Sequence, residues 1–324
     1  MSILRFRALR NHCLFWAVIL FSGFHLFEPR YVFLAMPISI IDIWLTLSIE
    51  SIFLLPVERA HKELTNGWKW ETLVIDSYPV RYLVKNIDLG KPLAIVIHGW
   101  NSTAVNMVGR GELYERMGYN VVLFEMRAHG GNKPVEQWAV MHVCHDLELV
   151  LDFFANKGWL KNGFVVHGHS LGGFVAQRVL NSNAKGINNP LALVLESPVT
   201  SYVYINNRTC KVLRIPKVFH KWLMQRALRY YNRVIRDKFR ISSLQALSIP
   251  EWGLPDCPTI LIQAKNDDTL GLIHAQLLID THSTIQSNFQ YYILNELKHA
   301  NERHNSVRDQ ILVKWFEGQS LLFN

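Results

Sequence analysis

Acidic residues are scarce in this chain, charge of either sign is thin, and cysteine is almost missing. Of 324 residues only 19% are charged, and 26 Asp and Glu stand against 34 Lys and Arg, a formal charge of +8. That balance hints at an anionic partner or surface without naming one. Cys13, Cys144, Cys210 and Cys257 lie far apart, with no C-x-x-C and no Cys/His spacing. This excludes a disulfide framework and a zinc site, and suits a reducing compartment better than an oxidising one. A clean A-x-A cleavage site is also missing near the N-terminus, which disfavours a removable signal peptide. What remains is largely apolar: 49% hydrophobic and 12% aromatic residues supply a sizeable core. A disordered chain, a collagen and a coiled coil are excluded. The length allows two domains, or one large α/β domain with an appendage.

Residues 1–62 differ from the rest. Arg5, Arg7 and Arg10 precede an apolar run from Cys13 to Phe24, and a second stretch from Tyr31 to Pro56 is mostly apolar but carries Asp42 and Glu50. A basic start before an apolar run fits a signal region or an uncleaved membrane anchor. The first run alone is short of the roughly 20 residues that a spanning helix needs. Two short crossings, or one crossing and one interfacial helix, are the alternatives for an anchor. A third is that residues 31–56 form a buried helix of the soluble domain, since Asp42 and Glu50 are costly in lipid. The expected localisation is membrane-associated, through residues 12–56; the leading arginines favour a cytoplasmic N-terminus.

From Trp68 onward short β-branched runs alternate with helical stretches. Candidate strands are Thr72–Ile75, Val80–Val84, Leu93–Ile97, Val121–Phe124, Phe164–Val166, Leu191–Leu195, Thr259–Ile262 and Gln290–Leu294. Helices are predicted near 104–117, 136–156, 172–182, 271–281 and 305–317. Continuously apolar strands between helices predict a mainly parallel sheet covered on both faces, an α/β class. Functional groups then gather at the carboxyl ends of strands.

After Phe164-Val165-Val166 comes His167-Gly168-His169-Ser170-Leu171-Gly172-Gly173. A G-x-S-x-G between strand and helix is a nucleophile elbow: the strained turn lifts Ser170 Oγ clear of the sheet, and the flanking glycines let strand and helix approach. After Leu93–Ile97 comes His98-Gly99-Trp100-Asn101, where the backbone N–H of Trp100 can join that of Leu171 as an oxyanion hole. A serine hydroxyl needs a base to take its proton. In the chain order of this elbow, an acid and then a histidine follow. Gln263-Ala264-Lys265-Asn266-Asp267-Asp268 and Asn295-Glu296-Leu297-Lys298-His299 stand at the last two strand ends. Asp267 is preferred over Asp268, and His299 over His304 and His282. His167 and His169 are expected to pack around the elbow.

These residues, with Met126-Arg127-Ala128-His129-Gly130, give residues 70–317 a resemblance to the α/β-hydrolase superfamily, closest to small esterase and lipase-like members with HGW and GHSLGG motifs. The resemblance implies an α/β-hydrolase domain over 68–324, carboxylic ester or thioester hydrolysis through an acyl-enzyme, a small-molecule or lipid ester substrate, and no cofactor or metal. It also favours Asp267, three residues beyond the position where relatives carry Gly and this chain has Ala264. The chain departs from the family at Ala264 and in the 125–130 loop, where relatives commonly have Asp-x-Arg-Gly-x-Gly. An acyltransferase using the same residues, and a non-catalytic membrane-tethered binding protein, are the rival readings.

Residues 200–250 interrupt the alternation where such proteins carry a cap. Between 201 and 240, eleven Lys and Arg face one acid, Asp237, a net +10. Phe219, Trp222, Leu223, Tyr230 and Val234 recur at helical spacing, so 208–240 reads either as a basic amphipathic helix for an anionic membrane surface or as a cap helix with a solvated basic face. No nucleic-acid recognition module is visible. Asn101-Ser102-Thr103 and Asn207-Arg208-Thr209 match glycosylation acceptors.

Overall fold

The computed structural model describes residues 7–26, 29–57, 59, 67–182, 187–235, 239–249, 251, 254–284, 288–300 and 302–323. Arg5 and residues 236–238 of the basic segment lie outside them. The chain divides into two compact units. One comprises Met1–Leu55, Val135–Ala139 and Ile205–Leu244; the other comprises Pro56–Pro134, Val140–Tyr204 and Gln245–Asn324.

The larger unit is built on an eight-stranded sheet. Its strands are β1 (Lys69–Ile75), β2 (Tyr78–Val84), β3 (Leu93–Ile97), β4 (Asn120–Phe124), β5 (Phe164–His169), β6 (Pro190–Glu196), β7 (Thr259–Ala264) and β8 (Phe289–Leu294). They lie in the order β1-β2-β4-β3-β5-β6-β7-β8. From β4 through β8 every pairing is parallel. The edge differs from the sequence expectation only in direction: β1 and β2 form an antiparallel hairpin, and β2 pairs antiparallel with β4. Asp76 and Ser77 turn that hairpin at φ 48° and 66°, the doubly positive geometry of a two-residue turn that matches strand twist.

The sheet's helices in this unit are α3 (Val108–Arg116), α4 (Val140–Asn156), α5 (Leu171–Leu180), α8 (Ile273–Ser283) and α9 (Ser306–Gly318). Alternation along the strands sends Ala94, Val96, Val121 and Leu123 to one face, where they pack with Leu113 and Tyr114 of α3 and Leu312, Trp315 and Phe316 of α9. β3, β4 and β5 are buried along their whole length, which is why they read as unbroken apolar runs. α4 begins at Val140, later than the 136–156 pattern predicts.

The smaller unit is helical: α1 (Arg7–Leu26), α2 (Pro29–Ile52), most of α6 (Tyr202–Val212) and α7 (Lys217–Val234). α1 and α2 pair antiparallel, with Gly23 near Val32 and His12 opposite Asp42. The segment Arg30–Glu50, of mean hydropathy 2.0, is long and apolar enough to cross a membrane by length and composition, and only 28% of its apolar window is buried. Its acidic residues do not stand alone. Asp42 accepts from His12 Nδ1 at 2.6 Å and Trp16 Nε1 at 2.9 Å, and from the guanidinium of Arg226 on α7. Glu50 Oε1 accepts the Leu9 N–H at 3.0 Å. The cost that a carboxylate imposes on an apolar helix is thereby offset by partners from two other helices.

Candidate active site

β5 delivers its last residue, His169, into a turn at Ser170, which sits at φ 53°, ψ −116°. A non-glycine residue in this region is strained and persists only where its surroundings over-determine it. Here they do. The Ser170 N–H donates to the carbonyl of Glu196 at 2.9 Å, and the Ser170 carbonyl accepts from Val199 and Gly173 at 2.9 and 3.0 Å. Two glycines make the crossing possible. A Cβ on Gly168 would lie 2.4 Å from the Gly172 carbonyl oxygen, and one on Gly172 would lie 2.4 Å from that of Ile97.

Ser170 Oγ lies 3.0 Å from His299 Nε2, and His299 Nδ1 lies 2.8 Å from Asp267 Oδ2. All three are at least nine-tenths buried. An ionised carboxylate only accepts, so His299 carries its proton on Nδ1 and leaves Nε2 to accept from the serine hydroxyl. Burial alone would raise the Asp267 carboxyl. Hydrogen bonds from His299, from the Leu270 N–H and from Gln263 outweigh it and hold the group below its ordinary value. Oδ1 takes the amides of Thr269 and Leu270 at 2.9 and 2.8 Å. Asp268 is exposed on the same loop. Of the other histidines, His282 stacks on Phe289 and His304 lies against Gly109.

Trp100 follows β3, and the neighbouring Gly99 presses on the serine so closely that a Cβ there would come within 2.9 Å of Ser170 Cβ. Leu171 is the first residue of α5, where backbone amides have no intrahelical acceptor and the helix dipole is positive. His98 bridges the β3 and β4 loops: Nδ1 meets the Gly99 carbonyl at 2.8 Å and Nε2 accepts the Met126 N–H at 3.0 Å. A cavity of about 550 Å³ opens over these groups, lined by Trp100, Met107, Arg110, Ser170, His299 and Arg303 among others.

Beneath the serine lies a buried ionic cluster that sequence reasoning missed. Glu196, at the end of β6, receives Arg110 Nε at 2.7 Å, with Arg308 at 3.6 Å and His167 Nε2 at 3.3 Å. Burial opposes ionisation of Glu196, but the two guanidiniums and His167 hold its carboxyl well below the ordinary range. The available signal was a lone charge closing an otherwise continuous apolar strand. His169, two residues on along β5, meets the His299 carbonyl oxygen at 2.6 Å through Nε2. Burial lowers its ring to about 3, so it is neutral near pH 7. Among the described residues no group of three His, Cys, Asp or Glu side chains could hold a metal ion, and the four cysteines are free.

Solved structures share this architecture at low identity. A Pyrococcus furiosus esterase is 17% identical, covering 82% of this chain and 97% of its own, with a TM-score of 0.59. A candidate hydrolase from Agrobacterium vitis is 13% identical over 78% and 99%, at 0.57. A candidate carboxylesterase from Lactobacillus plantarum is 15% identical over 79% and 99%, at 0.55. No curated protein matches the sequence. Residues 94–287 match the model of the alpha/beta hydrolase family. That span starts in β3 and takes in the elbow, both inner strands that follow it and the Asp267 loop; with the parallel sheet that carries them, it establishes that the chain belongs to the alpha/beta hydrolase family.

Proposed function

We propose that the protein is a serine hydrolase of carboxylic esters or thioesters, working through an acyl-enzyme on Ser170. The observation that carries this reading is the continuous hydrogen-bonded chain Ser170 Oγ–His299–Asp267, at 3.0 and 2.8 Å. Ser170 attacks the substrate carbonyl as His299 Nε2 takes its proton. Asp267 fixes the Nδ1–H tautomer and stabilises the imidazolium. The amides of Trp100 and Leu171 hold the oxyanion, an interaction worth a few kcal/mol per donor in the transition state. His299 then protonates the leaving group, and water repeats the sequence to free the acid. The esterase among the fold neighbours supports the same substrate class.

The test is covalent labelling with a fluorophosphonate, which only an activated serine traps readily. Labelling of the native chain and none of Ser170→Ala is the expected result. A Ser170→Ala protein that still hydrolyses esters at the native rate would overturn the assignment.

The same reading places the protein at a membrane, through the α1–α2 hairpin. Phe15, Val18, Phe21, Phe33 and Leu34 are each more than half exposed, and large exposed apolar side chains gathered on one helix pair are the mark of a membrane or protein contact surface. Recovery in the membrane fraction, resisting high salt and released by detergent, is expected; recovery in the soluble fraction would remove the anchor.

A further inference from the structure

The helical unit holds a cavity of its own, of about 140 Å³, whose polar lining is His12, Thr46, Arg226, Arg229, Tyr230 and Arg233. The four α7 residues fall at i, i+3, i+4 and i+7, on one face of the helix. Their commitments differ. Arg226 is spent on Asp42 and on Thr46 Oγ1, which it meets at 3.0 Å. Thr46 donates in turn to the Asp42 carbonyl at 2.8 Å, and His12 is held by the Asp42 carboxylate. Arg229 and Arg233, one turn apart and both exposed, have no ion-pair partner among the described residues. The nearby acid, Glu50, is already bonded to the Leu9 amide. Burial first, and the Glu50 carboxylate after it, raise the Tyr230 phenol, so its hydroxyl keeps its proton and can donate.

Two uncommitted guanidinium forks beside a phenol donor match a group with several acceptor oxygens, negative charge and tetrahedral shape. A cavity of this size admits a phosphate and excludes a whole lipid. Its position along the hairpin decides the source of that phosphate. His12 lies near the start of α1 and Thr46 near the end of α2, so the cavity is at the hairpin's open end. The exposed apolar side chains Val18, Phe21, Phe24, Leu26, Phe33 and Leu34 run toward the closed end. From His12 to Leu26 the α1 axis rises about 21 Å at 1.5 Å per residue, more than the ~15 Å of one hydrocarbon leaflet. With the closed end in acyl chains, the cavity stands at the depth of lipid headgroups.

We propose that this cavity binds the phosphate of an anionic phospholipid headgroup, gripped by Arg229 and Arg233 with Tyr230 donating. The proposal rests on the membrane placement of the α1–α2 hairpin proposed above, and it shares no residue with the hydrolytic site.

The experiment uses the full-length chain in neutral detergent micelles, titrated with phosphatidylglycerol, phosphatidylcholine and inorganic phosphate. Phosphatidylglycerol should bind, with the other two at least tenfold weaker. Arg229→Gln/Arg233→Gln should lose about tenfold in affinity for phosphatidylglycerol. Lys211→Gln/Lys217→Gln, which removes equal charge from exposed positions outside the cavity, should lose much less. Arg229→Lys/Arg233→Lys retains the charge without the forks and should fall between them; far-UV circular dichroism checks the fold of all three. Equal losses in both glutamine pairs would mean diffuse attraction and overturn the site. Inorganic phosphate binding as tightly as phosphatidylglycerol would overturn the lipid occupant, and equal binding of phosphatidylcholine would overturn its anionic character.

Discussion

His169 donates its Nε2–H to the backbone carbonyl of His299 across 2.6 Å, joining the residue before the serine to the residue whose ring faces it. The two rings lie 5.3 Å apart. A carbonyl only accepts, so the bond requires His169 to hold a proton on Nε2. His169 is therefore a positioning residue in the proposed mechanism: it anchors the segment that carries the base without touching the reacting atoms.

Replacing His169 with Phe keeps a ring and deletes the donor. The expected result is a loss of about tenfold or more in kcat with KM little changed, since misplacement of a base is costly even when binding survives. His169→Gln restores a donor and should recover part of the loss. Steady-state ester hydrolysis by the two variants measures it; equal rates in both would show that the bond is idle.

Asp267→Asn tests the tautomer argument. The amide can still accept from Thr269 and Leu270, but its NH2 faces His299 Nδ1 and favours the wrong ring proton. A fall in kcat on the order of 10³–10⁴ is expected, while thermal denaturation remains cooperative. Asp268→Asn, on the exposed neighbour, should leave kcat unchanged.

Gly172→Ala places a methyl against the Ile97 carbonyl, backbone that cannot swing away. Overpacking of this kind costs about 1–3 kcal/mol or more. The variant should show a lowered Tm or fail to accumulate as soluble protein. Retention of native Tm would mean that strand and helix are less closely apposed than described.

Glu196→Gln leaves Arg110 buried without its carboxylate, while Arg308 keeps Asp309 at 2.6 Å, a change expected to destabilise by about 3–5 kcal/mol at neutral pH. It should also flatten the response to acid. The carboxyls of Glu196 and Asp267 are both held below their ordinary values of 4.5 and 3.8. Each contributes stability that is complete above those values and is lost as pH falls through the lowered ones. Urea denaturation at pH 7 and near pH 4 should show a smaller drop for the variant than for the native chain.

Local chemistry carried a good deal of this by itself. Unbroken apolar runs such as Ala94–Ile97 mark strands that no polar face can interrupt; β3 matches its reading, and the other observed strands extend theirs by one to three residues. The elbow was legible because a strained turn demands glycine two residues to either side, and demands it in adjacent positions of the chain. Long-range order was not. Nothing local in Lys69–Val84 tells that β2 alone runs against the rest of the sheet, because its direction relative to β4 is set by where the chain returns. The partners of Asp42 lie 26, 30 and 184 residues away in sequence, so its cost in an apolar helix could be recognised but its compensation could not. Glu196, Arg110 and Arg308 come from three separate elements, and each alone is an ordinary charge. Residue types and their order were enough to mark which side chains can do chemistry and at which strand ends they stand. That His299 Nε2 rests at hydrogen-bonding distance from Ser170 was settled by the packed fold, since the two residues stand 129 positions apart and no local preference brings them together.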